Sequence, residues 1–168
     1  MALTKVIGSG LGAIPAISGA NLTGFTDAQM PAGAVLQVIH ASTTTEVSNS
    51  SATYADTGLT AAITPSASSS KILIIYSVQQ FMTNATGTGH LKVVRGSTGL
   101  VNHGYGSYAG SSTIMSTSSY EHLDSPSTTS ATTYKIQFNR INAGAVICQY
   151  DDGSGEGVST IILMEIAG

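Results

Sequence analysis

Beyond residue 30, apolar and polar residues alternate with a period of two through most of the chain, the pattern of half-buried strands. The stretch that organises the rest is Lys71–Arg95, KILIIYSVQQFMTNATGTGHLKVVR. Ile72, Ile74, Tyr76 and Val78 fall on one face of an extended strand, and Leu73 and Ile75 on the other. A strand apolar on both sides belongs in the middle of a sheet, covered on each face. The run breaks at TNATGTG, and Leu91 and Val93 then alternate against His90, Lys92 and Arg95. Strand, glycine-rich loop, strand predicts a β-hairpin.

The same grammar recurs along the chain. Val35–Ala41 reads as a first strand, Thr43–Asn49 as a polar loop, and Thr53–Leu59 and Ala61–Thr64 as short strands either side of Gly58. Gly96–Gly99 is a turn, and Leu100–Ser112 mixes glycine with His103, Tyr105 and Tyr108. Ile114–Leu123 is a weaker strand. Thr132–Arg140 is one-sided, with Tyr134, Ile136 and Phe138 inward and Thr133, Lys135, Gln137 and Asn139 outward. Ala145–Tyr150 and Ser159–Ile166 predict a last hairpin across DDGSGEG. In the final strand Ile162, Met164 and Ile166 face one way, and Ile161 and Leu163 the other. About eight short strands separated by turn signals, with no competing helical window, predict an all-β, jelly-roll-like β-sandwich over residues 31–168.

Residues 1–30 follow no such alternation. Leu3, Val6, Ile7, Leu11, Ile14, Ile17 and Leu22 are apolar, but Gly8, Gly10, Gly12, Pro15, Gly19 and Gly24 interrupt any helix. This is an extended arm: either a docking peptide for a partner, or a strap or frayed end of its own domain. Leu3, Val6, Ile7, Leu11, Ile14 and Ile17 are the candidate attachment residues.

Composition sharpens the picture. Charged residues make up 9% of the chain, against roughly 25% in typical soluble domains. Ser and Thr, about a quarter of the residues, and 19 Gly take their place. Apolar residue on both faces of Lys71–Val78 and Ser159–Ile166, with so little surface charge, predicts a closed interface between subunits, read as a homotrimer. The net charge is −3 and the six Lys and Arg are scattered, which gives nucleic-acid binding little electrostatic support. No apolar run is long enough to span a bilayer, and MALTKVIGSG lacks the apolar core of a secretory signal. The lone Cys148 sits in a strand-like context and reads as a small buried hydrophobe.

Motifs for catalysis or cofactors are thin. His40, His90, His103 and His122 share no metal-ligand spacing. Asp151–Glu156 lacks the alternating ligands of a calcium loop and reads as a turn. Gly8, Gly10 and Gly12 have the wrong spacing for a dinucleotide loop, and no GxSxG elbow occurs. The expectation is therefore no cofactor, no metal and no enzyme activity. The segment around His103, Tyr105 and Tyr108 is the candidate recognition surface, because glycine lets tyrosine be presented and tyrosine gives broad contact at low entropic cost. Its alternative is packing under a loop or at a subunit boundary.

Several phrases together carry a resemblance. MPAGAVLQVI from Met30, ITPSASSSKILI from Ile63, DSPSTTSATTYKIQF from Asp124 and STIILMEIAG from Ser159 resemble the C-terminal domains of tail-fibre and other virion structural proteins of marine and cyanobacterial bacteriophages. The opening MALTKV resembles starts of such proteins. The resemblance implies a jelly-roll-like domain, often trimeric, displayed on the particle, with no catalytic residues to transfer. The arm meets the domain without a fibre shaft, which favours a capsid decoration protein, a short head fibre or a compact tail appendage. The expected partners are further copies of the chain and a phage capsid or tail protein held through the arm. The protein would be made in the host cytoplasm and used on the virion surface. The alternatives are a tail receptor-binding domain for a host surface glycan and, further off, a polysaccharide-degrading enzyme.

Overall fold

The computed structural model describes residues 30–84, 86–108, 112–153, 155 and 157–168, with the side chains of 105–108 outside that description. The described residues hold no helix. They form ten strands: β1 Val35–Thr43, β2 Val47–Asn49, β3 Ala55–Ile63, β4 Lys71–Met82, β5 Thr88–Arg95, β6 Thr98–Tyr108, β7 Ile114–Asp124, β8 Thr132–Ile141, β9 Val146–Cys148 and β10 Ser159–Ile166. Two antiparallel sheets face each other. Sheet A runs β1-β10-β4-β7, with the short strands β9 and β2 continuing along the far end of β4. Sheet B runs β3-β8-β5-β6. Numbered among the eight long strands alone, this order is 1-8-3-6 over 2-7-4-5, a jelly roll.

The core is a single cluster between the sheets. Ile72, Ile74, Tyr76, Val78 and Met82 of β4 and Ile161 and Leu163 of β10 meet Leu91 and Val93 of β5, Tyr134, Ile136 and Phe138 of β8, and Leu59 and Ile63 of β3. The alternation seen in β4, β8 and β10 is the alternation observed, except that Asn139, read as outward, is buried and donates from Nδ2 to the Ala52 carbonyl; Cys148 is buried. Burial in this apolar setting pushes the Cys148 thiol pKa up.

Both expected hairpins are corrected. β4 and β5 lie in different sheets, because each edge of β4 is already occupied: β10 and β9 along one, β7 along the other. The intervening loop turns across the sandwich and ties to the β8–β9 connection. Thr83 N–H donates to the Ala145 carbonyl at 3.1 Å, and Ala145 N–H to Thr83 Oγ1 at 2.8 Å. Gly144, at φ +78°, leaves no room there, since a Cβ would stand 2.4 Å from that of Asn84. β9 and β10 do not pair either; both lie end to end on one edge of β4. Gln79 marks the hand-over. Its N–H donates to Ser159 Oγ, its carbonyl accepts from Gln149 N–H, and its Oε1 accepts from Tyr150 N–H.

Other boundaries moved for local reasons. The two short strands expected around Gly58 are one strand, β3, with a bulge. Gly58 takes φ +82°, and Thr57 Oγ1 donates to the Ile136 carbonyl in place of the interrupted ladder. The glycine-rich segment after Gly99 is strand β6, hairpinned to β5 through Gly96 and Ser97. The segment read as a polar loop before Asn49 contains β2. Gly153, at φ +82°, donates its N–H to Asp151 Oδ1 at 2.7 Å, the turn geometry expected for DDG.

Polar side chains inside the sandwich fasten its ends. Asp124, at the end of β7, accepts from Arg95 Nη1 at 2.7 and 2.9 Å and from the Tyr134 hydroxyl at 2.7 Å, joining sheet A to sheet B. At the β1–β10 edge, Glu165 is fully buried and accepts from Gln37 Nε2, Ser66 N–H and Ser66 Oγ at 2.5–2.7 Å. Burial alone would raise its pKa; the Gln37 and Ser66 hydrogen bonds outweigh that and hold it below the ordinary glutamate value. The stability this carboxylate contributes is complete above the unfolded value of about 4.5 and is lost as pH falls through the lower folded value. Glu165→Gln is expected to cost about 1.5–3 kcal/mol near neutrality. In denaturant titrations the gap between wild type and variant should narrow as the pH is lowered. A gap that stays constant with pH would remove the carboxylate as its source.

Candidate functional site

The attachment residues Leu3, Val6, Ile7, Leu11, Ile14 and Ile17 lie outside the described residues. The described chain begins at Met30, which lines a shallow cavity with Leu36, Ser69, Ala167 and Gly168. Gly33 N–H donates to the Ala167 carbonyl and Ala167 N–H to Ala34, both at 2.8 Å. The described chain therefore enters the domain at the end of sheet A where β1 starts and β10 finishes.

His103 is not on a presented loop. It sits on β6 opposite Leu91, an inward position, and is half-buried at the side of the sandwich where edge strands β6 and β7 meet. Its ring stacks on Tyr120 at 4.4 Å between centroids and 8° between planes, and its Nδ1 hydrogen-bonds the Tyr76 hydroxyl. Burial, then the nearby His122, lowers the His103 pKa, with Glu121 opposing, while burial raises that of Tyr76. Both directions favour a neutral imidazole accepting from a protonated phenol. This is an internal bond across the sandwich rather than a recognition group. Tyr105 and Tyr108 pair through their backbones with His90 and Thr88; their side chains lie outside the described residues.

The surface that stands out is the outward face of sheet A. The strand register sets its residues in rows across β1, β10, β4 and β7. One row is Val38, Met164, Leu73, Leu123; the next is His40, Ile162, Ile75, Glu121. Val35, Ile166 and Lys71 flank them at the end where β1 starts. Val35, Val38 and Leu123 are each more than half exposed, and Leu73, Ile75, Ile162, Met164 and Ile166 are partly so. A belt of Ser42, Thr160, Ser77 and Ser119 follows, with Ser119 Oγ donating to Ser77 Oγ at 3.0 Å. Beyond it lies a second apolar group, where Phe81 stacks on Tyr150 at 4.3 Å beside Met115.

The outward face of sheet B is different in kind. Lys135 pairs with Asp56 at 2.8 Å, Gln137 Nε2 donates to Asp56 Oδ1, and Lys92 lies 4.2 Å above the Tyr54 ring. One side of the sandwich is thus dressed for water and the other is not. Moving a Val, Leu, Ile or Met side chain out of water is worth roughly 1.5–3 kcal/mol, so the aliphatic rows of sheet A hold considerable unspent stabilisation. Leu73, Ile75 and the outward residues of β10 are legible in the sequence as a second apolar face. Val38, His40, Glu121 and Leu123 are not, because their membership depends on register.

No family model matches the chain, and no curated protein matches it. Among solved structures it is similar to a chain of infectious bursal disease virus, Gx strain, at 12% identity and a TM-score of 0.44, over 92% of this chain and 42% of that one. It is also similar to dimeric latent PorU from Porphyromonas gingivalis, at 10% identity and a TM-score of 0.31, over 85% of this chain and 14% of that one. The chain spans less than half the length of either.

The His103 assignment is checked by titration. Its imidazole resonance should report protonation below the ordinary value of 6.5. The unfolded chain then takes up the proton first, so this group's contribution to stability declines as pH drops below about 6.5. Tyr76→Phe should cost about 0.5–1.5 kcal/mol and move the His103 titration. An unmoved titration would mean that the two groups are not bonded.

Proposed function

We propose that this chain is a non-enzymatic structural protein of a bacteriophage particle. In this reading a jelly-roll domain is displayed as a homotrimer and held to a capsid or tail protein by the N-terminal arm. The observation that carries the proposal is the aliphatic outward face of sheet A, on a domain with 9% charged residues. Such a face suits a protein that works inside an assembly. The polar clusters support the non-enzymatic part of the reading. Arg95–Asp124–Tyr134, Glu165–Gln37–Ser66 and Tyr76–His103 are each engaged in joining strands or sheets. The phrases from Met30, Ile63, Asp124 and Ser159 supply the phage context as a resemblance, and a capsid decoration protein, short head fibre or compact tail appendage is the form proposed within it. The glycan-receptor alternative loses His103 and retains Tyr105 and Tyr108.

The arm gives the test. Free in water, its apolar residues gain roughly 1.5–3 kcal/mol each on burial, while ordering its glycine-rich backbone costs about 1–2 kcal/mol per residue. A partner surface that also pairs its amides tips that balance. Deleting residues 1–25 is expected to leave the melting temperature of the domain nearly unchanged and to abolish incorporation into particles, read by immunolabelling of purified virions. Truncated protein that still enters particles would place attachment elsewhere.

A further inference from the structure

We infer that the outward face of sheet A is where copies of this chain join, in a ring of three whose axis runs along the strands, with His40 of each copy meeting Glu121 of the next. The inference rests on the trimeric reading above and assigns it a surface, a direction and a pair of contacts.

The occupant follows from the rows. His40 and Glu121 stand at opposite lateral edges of the face, on β1 and β7, in one row that passes through Ile162 and Ile75. Rotation about an axis parallel to the strands leaves every residue at its own height. When the β1 edge of one copy approaches the β7 edge of the next, each row therefore meets the same row. Val38 comes beside Leu123, aliphatic against aliphatic. One row along, imidazole comes beside carboxylate, and beyond that the Ser42–Ser119 row meets itself, hydroxyl against hydroxyl. The middle residues, Leu73, Ile75, Ile162 and Met164, are left facing the axis, where three copies bury one another. A contact between two different edges is head-to-tail, and such contacts close into a ring when the rotation between neighbours divides a full turn, which the trimeric reading sets at a third. Four strands at about 4.8 Å and seven residues at about 3.4 Å give a face of roughly 450 Å² in projection. That falls within the roughly 300–600 Å² of the largest patches on ordinary monomers, which are often functional.

Two measurements on the full chain test this. Light scattering should give about three times the 17.0 kDa chain mass. Val38→Asp and Leu123→Asp place carboxylates at sites already more than half exposed in the single chain, so folding should survive, with an unchanged circular dichroism spectrum and a mass reduced to one chain. Separately, a chain carrying both His40→Cys and Glu121→Cys, treated with a short bis-maleimide, should give a covalent ladder ending at three chains. Either single cysteine variant should give none, Cys148 being buried. A wild-type monomer at micromolar concentration would overturn both this inference and the trimeric reading. A stable trimer indifferent to both aspartates and giving no ladder would overturn the inference alone. A wild-type monomer that associates only when residues 1–25 are removed would likewise overturn both, with that segment as the cover of this face.

Discussion

β4 is hydrogen-bonded along both edges and apolar on both faces, and most of the architecture follows from satisfying it. Its 12 residues are too long for one neighbour on the β10 side, so β10 takes the first part and β9 the last. The hand-over requires Gln79 to bond three separated backbone or side-chain groups. It also requires Gly157, where a Cβ would fall 2.4 Å from Gln79 Oε1. With both edges taken, the strand that follows β4 in sequence has nowhere to go but the opposite sheet. The jelly-roll crossing is thus a consequence of a saturated central strand.

The same strand shows what was legible in the sequence and what was not. Period-two alternation located β4, β8 and β10 and the direction of Ile74, Ile136, Phe138 and Leu163, because burial of alternate residues depends on local spacing alone. Pairing depends on which edges are free, a property of the whole sheet. Both expected hairpins failed for that reason, while the turn at Gly96, with two residues between its strands, formed one. His103 failed differently. Glycine and tyrosine around it signal display, but here they lie on edge strand β6, and only the register of β6 against β5 turns the imidazole inward beside Tyr120. The outward face of sheet A was half legible: its middle strands carry apolar residues on both sides, whereas its edge residues read as isolated valines and leucines until the rows assemble them.

The two outward faces divide the labour of the sandwich. Sheet B carries the ion pair and cation–π contact that suit a hydrated surface, and sheet A carries aliphatic rows interrupted by a hydroxyl belt. Charge is therefore unevenly placed: on the outward face of sheet A, Lys71 and Glu121 lie around the aliphatic rows, while sheet B carries Asp56, Lys92 and Lys135. The internal polar clusters lie at the ends and side of the core, where they fasten strands without breaking its apolar centre.

The interleaved order has a further consequence for how the molecule comes into being. β5 and β6 are the long strands joined by a tight turn; the other neighbours in each sheet are brought together from far apart in the chain. Such long-range pairing is slow, because loop-closure entropy is lost before contacts compensate it. β10, the last described strand to be synthesised, is inserted between β1 and β4, among the earliest. A ribosome would thus release β1 and β4 with a gap between them, their amides unpaired and their aliphatic residues wet, until β10 arrives to fill it. The nascent chain is most exposed to sticking where the folded one is most ordered, and the hazard lasts until β10 has emerged.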